Sequence, residues 1–173
     1  MIYLTNLDLN APEPETERIE VPPPLPLVTS RYQNWRESAG VPIGITVGRP
    51  RFVRYDYVSI SHLAPHELFR APFKNIDNIP IERRVYRERL RVFEPEILEA
   101  LEEVARSYPD LPGVLMCFED VNGGEACHRQ WASEWFGQRF GWNVPELPDP
   151  ADAAPRQPKG RKPATAPAPD TLF

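Results

Sequence analysis

The stretch GVLMCFEDVNGGEACHRQWASEWFGQRFG, residues 113–141, combines a buried strand, a glycine-containing loop and a helix. An unbroken apolar run at residues 114–118 predicts a strand covered on both faces, as in a parallel sheet. The following Asn-Gly-Gly predicts a turn, because these residues adopt positive φ at little cost. From about Glu125 the pattern is helical and stops at Gly141. The apolar face of this helix comprises Trp131, Ala132, Trp135, Phe136 and Phe140.

Reactive and charged side chains lie where this strand ends and this helix begins. Cys117 and Glu119 follow the strand, and Cys127, His128 and Arg129 open the helix. Open α/β sheets bind ligands at the carboxyl ends of their strands, and a helix N-terminus favours an anion. We therefore expect Arg129 to bind phosphate or carboxylate, and the same field to lower the pKa of Cys127.

The cluster supports two interpretations. As an active site, it offers Cys127 as nucleophile or redox thiol and Glu119 or His128 as acid or base. Cys117 is a ligand-binding candidate by position, but a cysteine in an apolar strand is usually a small buried side chain. The alternative is a structural hydrogen-bonding node. The chain has neither a Gly-x-Gly-x-x-Gly motif nor a Walker loop, so no nucleotide cofactor is assigned.

These motifs resemble the bacterial domain-of-unknown-function family 488, whose closing motif is a strand ending in Cys-x-Glu followed by Cys-His-Arg and a helix. Here they are Cys117-Phe118-Glu119 and Cys127-His128-Arg129, with Trp135 on the helix. Upstream, residues 29–32, 41–45 and 63–65 resemble further segments of the family, so the likeness covers most of residues 25–140. The resemblance implies a three-layer α/β fold and no particular reaction.

Further strands are predicted at residues 2–7, 25–28, 41–47 and 55–60. Pro42 favours an edge or strand-start position for the third of these. Ser30 and Arg31, directly after the second, could bind the same phosphate as the Cys-His-Arg helix start; alternatively, Ser30 caps a turn. A short helix at 66–70 and a long amphipathic helix from Glu94-Pro95 complete an α/β fold with a mainly parallel sheet.

Residues 81–92 predict a basic helix, with five arginines at positions 83, 84, 87, 89 and 91. Such a run is usually a solvated face with ion pairs to nearby acids. The alternative is a face that contacts nucleic-acid phosphates.

The composition bounds the remaining possibilities. A chain of 173 residues with a net charge of −5 is expected to form one core and not to coat nucleic acid over its whole surface. It contains no apolar run near 18 residues and no signal-peptide pattern, so we expect a cytoplasmic protein without membrane association. Two cysteines and three histidines lack the spacing of known zinc motifs, so no metal site is predicted.

A single domain is predicted over residues 1–147, followed by a disordered Pro/Ala-rich tail over 148–173. The tail ends in Asp170-Thr171-Leu172-Phe173, which resembles the carboxyl-terminal sliding-clamp-binding motif of bacterial DNA repair proteins, with Leu172 and Phe173 as the binding pair.

Two functions follow from these observations. The first is a domain that binds or processes a nucleotide or nucleic-acid phosphate at the Cys-His-Arg helix, in DNA repair or modification. The second is a non-catalytic accessory protein of DNA transactions that its tail recruits to a sliding clamp.

Overall fold

The fold is built on a four-stranded parallel sheet, as described by a computed structural model for residues 7–8, 16–74 and 76–149. The strands lie in the order β1-β4-β2-β3. Their bounds are Leu27–Arg31 (β1), Val41–Gly44 (β2), Val58–Ser59 (β3) and Gly113–Cys117 (β4). Strand β4 pairs in parallel with both β1 and β2, and every one of its residues is buried, as the apolar run predicted.

In the described residues, two α-helices lie between β3 and β4 in the chain and a third follows β4. They span Ile79–Val92 (α1), Glu94–Ser107 (α2) and His128–Phe140 (α3). The side chain of Asn78 caps α1, and proline occupies the first turn of both α1 and α2, where its missing N–H costs nothing. Helix α3 ends at Gly141, whose φ of 71° is the left-handed conformation that glycine adopts without strain.

The two faces of the sheet carry different layers. Leu27, Ile43 and Leu115 point to one face and join the main core, which also contains the buried side chains of α1, α2 and α3. Val114 and Met116 point to the other face and pack against Tyr32, Val53 and neighbouring aromatic side chains from irregular segments. This period-2 division follows from strand geometry. The α/β class with a parallel sheet is therefore confirmed, with all three helices on one face and loops on the other.

Several elements differ in extent from the prediction. Strand β2 ends at Gly44 and β3 has only two residues, whereas the helix at residues 66–70 is a 3-10 helix over His66–Phe69. Strand β2 is internal, yet Pro42 is tolerated because β3 pairs only with Ile43 and Gly44. The strand predicted at residues 2–7 lies outside the described residues except for Leu7.

After α3 the chain returns along the free edge of β1. Glu146 bridges to Thr29, and the backbone N–H of Leu147 donates to the Thr29 carbonyl. Asp149 is buried beside Arg31, so contacts with the domain continue two residues beyond the predicted boundary at 147. In the described parts of the chain, no helix is both long and apolar enough to cross a membrane.

Candidate functional site

Four potential ligand groups meet where β4 ends and α3 begins. The Sγ atoms of Cys117 and Cys127 lie 2.8 Å and 3.0 Å from Oε2 of Glu119. Nδ1 of His128 lies 3.5 Å from Sγ of Cys117. We call these four residues the thiol cluster. Both cysteines and the histidine are buried, and Glu119 is half-buried. The structure thus brings together two pairs of residues, Cys117 with Glu119 and Cys127 with His128, that are separated in the chain by the loop between β4 and α3.

The orientation of the His128 ring is fixed by the backbone. Its Nε2 lies 2.8 Å from the carbonyl oxygen of Ile45, in the segment that follows β2. A carbonyl only accepts hydrogen bonds, so Nε2 must donate. In the neutral imidazole the Nδ1 lone pair is then directed into the thiol cluster. Tyr86 packs edge-on against the same ring and holds it from the α1 side.

Arg129 is completely buried beside the thiol cluster and is held by protein acceptors. Its guanidinium makes a bidentate pair with Glu146, with N–O distances of 3.0 Å and 2.9 Å. It also donates to the carbonyl oxygen of Glu119 and, at 3.4 Å, to Sγ of Cys127. The hydroxyl of Thr29 donates to Glu146 at 2.6 Å. This network connects α3 to β1 and to the loop after β4, and it occupies the guanidinium that we predicted would bind phosphate.

The thiol cluster shifts the protonation of its own members. Burial would raise the pKa of Glu119, but hydrogen bonds from the two thiols outweigh burial and lower it. Burial would likewise raise the pKa of Cys127, but hydrogen bonds with Cys117 and His128 lower it to about 6. Burial and the hydrogen bond with Cys127 raise the pKa of Cys117. The direction predicted for Cys127 agrees, although its neighbours rather than the helix field alone are the cause.

The other predicted ligand residues, Ser30 and Arg31, lie at the end of β1. Ser30 is buried within β1 rather than capping a turn. Arg31 forms ion pairs with Asp120 at 3.2 Å and with Asp149 at 3.5 Å. The predicted partner-binding pair, Leu172 and Phe173, and most of the predicted tail lie outside the described residues.

The arginines of α1 are engaged with protein acceptors. Arg83 pairs with Glu134 and Arg87 bonds to Gln138, both on α3. Arg89 is buried and bonds to Glu67 at 2.6 Å and to the carbonyls of His62 and Ser61. The sequence supports two interpretations of this helix, a solvated face with ion pairs and a face that contacts nucleic acid. The arginines do form ion pairs, but most of the acceptors lie on other elements rather than within α1.

An aromatic surface on the opposite face of the sheet was not anticipated from the sequence. Tyr32, which follows β1, contacts the rings of Phe52, Tyr57 and Phe118 at centroid distances of 6.5 Å, 5.6 Å and 5.4 Å. Phe52 and Phe118 are 48% and 38% exposed. We call these four rings the aromatic platform. The basic turn Gly48-Arg49-Pro50-Arg51, followed by Phe52 and Arg54, was the available signal in the sequence.

Glu146 was also missed, because no local pattern joins it to Arg129, which lies 17 positions earlier in the chain.

Comparison with protein-family models, curated proteins and solved structures finds no match to this chain. The resemblance to family 488 therefore stays a prediction that depends on the motif residues alone.

Proposed function

We propose that this protein binds a nucleotide or single-stranded nucleic acid on the aromatic platform, at the carboxyl edge of the parallel sheet. The observation that carries the proposal is the pair of exposed rings, Phe52 and Phe118, in edge-to-face contact with each other beside exposed arginines. The rings would stack with bases, since every base has a π-face that an aromatic side chain can cover.

The platform has a firm support beneath it. Tyr32 lies at its centre, almost completely buried, and its hydroxyl is hydrogen-bonded to Thr46 at 2.9 Å. Val53 is buried between the exposed positions of the same loop and anchors it to the sheet. A stacking surface that is already ordered loses less conformational entropy on binding than a flexible loop would.

The loop that contains Phe52 and Tyr57 is positively charged. Arg49, Arg51 and Arg54 are exposed, and Arg49 lies over the ring of Tyr57 at 5.1 Å. Between residues 48 and 57 the only acidic residue is Asp56, so this loop has a net charge of +2 in a chain of net charge −5. A local basic patch with interleaved aromatic side chains is typical of surfaces that follow a nucleic-acid backbone.

The proposal keeps the class of ligand that the sequence predicted and changes its position. Arg129 is occupied by Glu146, so phosphate would bind the exposed Arg51 and Arg54 of the 48–57 loop instead, while Arg49 donates to the Tyr55 carbonyl at 2.8 Å. The thiol cluster lies at the same end of the sheet but on the helix face, with Phe118 between Cys117 and Glu119 in the chain. Both cysteines are free thiols, which fits the reducing cytoplasm in which we expect the protein to act.

Fluorescence anisotropy with a labelled single-stranded oligonucleotide tests the proposal, with mononucleotides as competitors. Loss of one stacked ring in Phe52→Ala should weaken binding by about tenfold, since base–aromatic stacking contributes about 1–3 kcal/mol. Arg51→Ala and Arg54→Ala should each weaken binding and reduce the dependence of affinity on salt concentration.

The chain offers matched controls. Phe69 is 61% exposed on a different surface, and Arg106 is exposed on α2, so Phe69→Ala and Arg106→Ala should leave binding unchanged. The double variant Arg83→Ala/Arg87→Ala tests the α1 surface as the alternative. The proposal is wrong if wild-type protein does not bind at low salt, or if the α1 variant loses binding while the loop variants keep it.

A further inference from the structure

We propose that the thiol cluster is a zinc site in which Cys117, Glu119, Cys127 and His128 are the four ligands. Their potential ligand atoms all lie within 4.8 Å of one another. This site is separate from the aromatic platform: Cys117 alternates with Met116 along β4 and so points to the helix face, whereas Phe118 contacts Tyr32 on the other face.

The separation of sulfur and nitrogen in the thiol cluster suits a single tetrahedral ion. Zinc–sulfur bonds of about 2.3 Å and zinc–nitrogen bonds of about 2.0 Å at tetrahedral angles place sulfur and nitrogen about 3.5 Å apart. Sγ of Cys117 and Nδ1 of His128 are separated by that distance. The two sulfur–carboxylate distances, 2.8 Å and 3.0 Å, are hydrogen-bond lengths, and Glu119 would have to move back so that they reach about 3.5 Å when zinc replaces the thiol protons.

The surroundings of His128 match those of a metal-binding imidazole. Metal-ligating histidines usually donate their second ring N–H to a carboxylate or a backbone carbonyl, which fixes the tautomer. Nε2 of His128 donates in this way to Ile45. Nδ1 is thereby left as a lone pair directed at the other three groups, which is the orientation that coordination requires.

A positive charge lies beside the thiol cluster and would offset the negative charge of the zinc-bound ligands. Two thiolates and one carboxylate with Zn²⁺ have a net charge of −1, which is costly to bury without a counter-charge. The guanidinium of Arg129 lies 3.4 Å from Sγ of Cys127, and the backbone N–H of Arg129 donates to the same sulfur. Arg129 is thus a positioning residue that would stabilise a thiolate ligand without binding the metal itself.

The ligand set indicates both the metal and its role. Thiolate with imidazole in tetrahedral geometry favours zinc over magnesium or calcium, which prefer oxygen ligands. Four protein ligands in a largely buried site leave no open position for a substrate, so the site is of the structural kind. It would fix the end of β4, the loop over residues 118–127 and the start of α3 in one arrangement.

Metal analysis of the untagged full-length chain, purified under reducing conditions, tests the inference directly. We expect about one zinc ion per chain by mass spectrometry of the metals. Replacement of zinc by Co²⁺ in the wild-type protein should give the intense visible bands of a tetrahedral site and a thiolate-to-cobalt charge-transfer band. This spectrum requires no mutation, so it is unaffected by any variant that fails to fold.

Variants identify the ligands. Cys127→Ser, Cys117→Ser and His128→Ala should each lower zinc affinity by more than about tenfold, because loss of a ligand costs at least as much as loss of a residue that orients one. His66→Ala, which removes an imidazole outside the cluster, should keep both the zinc and the cobalt spectrum.

Three results would overturn the inference. The first is a wild-type chain that binds neither zinc nor cobalt. The second is an octahedral cobalt spectrum without a thiolate band. The third is a disulfide between Cys117 and Cys127 that forms under the reducing purification. Because oligonucleotide binding is measured separately, failure of the zinc site would leave the proposed function to be judged by its own experiment.

Discussion

Helix α1 and the start of α3 are both rich in polar groups, but they use them differently. Helix α1 has five arginines, and four of them lie on half-buried or exposed positions; of these, Arg83 and Arg87 have acceptors on α3, whereas Arg91 pairs with Glu88 within α1. The start of α3 has one arginine, Arg129, which is completely buried among Glu146, Glu119 and Cys127. The number of charged residues in a segment therefore does not predict how much each of them contributes to the stability of the fold.

The two segments differ because the arginines of α1 are mostly accessible to solvent and Arg129 is not. An exposed ion pair exchanges water for a partner at little net gain, about 0–1 kcal/mol. A buried charge cannot be hydrated when its partner is removed, so breaking a buried pair destabilises the fold strongly. Four predictions test this contrast.

Arg129→Leu should cause the largest loss, about 3 kcal/mol in the free energy of unfolding, because the half-buried Glu146 would lose its bidentate partner and the Glu119 carbonyl would lose a charged donor. Urea denaturation measures the loss. The double variant Arg129→Leu/Glu146→Leu should recover part of it, since neither charge is then left unpaired. Equal losses for Arg129→Leu and Arg83→Leu would contradict the contrast.

Removal of zinc from the thiol cluster should cause the next largest loss. A ligand that binds only the folded state, at about 100 times its dissociation constant, stabilises that state by about 2.7 kcal/mol. Thermal unfolding with and without a zinc chelator measures the effect, and added zinc should reverse it. The same chelator should leave the melting temperature of Cys127→Ser unchanged.

Arg89 is the exception within α1 and sharpens the comparison. It is buried, bonds to Glu67 and to two backbone carbonyls, and lies 4.7 Å from the ring centre of Phe93. Arg89→Ala should cost about 2 kcal/mol, because charged hydrogen bonds to half-buried acceptors are lost. If urea denaturation gives a loss similar to that of Arg91→Ala, burial does not explain the difference.

Arg83→Ala and Arg91→Ala should have the smallest effects, each below about 1 kcal/mol. Of their partners, Glu134 is exposed on α3 and Glu88 is half-buried on α1. High salt should reduce these small effects further but leave the loss in Arg129→Leu almost unchanged, since buried pairs are screened less.

Much of the fold could be predicted from local pattern. The apolar run of β4, the aromatic stripe of α3 and the glycine that ends it each depend on a few neighbouring residues. The loop layer over the second face could not be predicted in this way. It depends on Tyr32, Val53 and Met116, which belong to three separate segments and meet only after the sheet has formed.

The site could be predicted in part. The sequence placed Cys117, Glu119, Cys127 and His128 at one edge of the sheet, because a strand end and a helix start must meet there. It did not predict metal ligation, since the ligand spacing matches no short motif and depends on the path of residues 118–127. The role of Arg129 could not be predicted either, because its partner Glu146 is distant in the sequence and lies beside it only after the chain returns along β1.

The strand order has a consequence for biosynthesis. β1 and β2 do not touch each other in the sheet, because β4 is inserted between them. A nascent chain that has emerged only as far as α2 therefore has two strands with no common partner, and its largest sheet contacts await residues 113–117. Assembly should be late and cooperative, dominated by contacts between distant parts of the chain, and slow compared with that of a helical bundle of equal length.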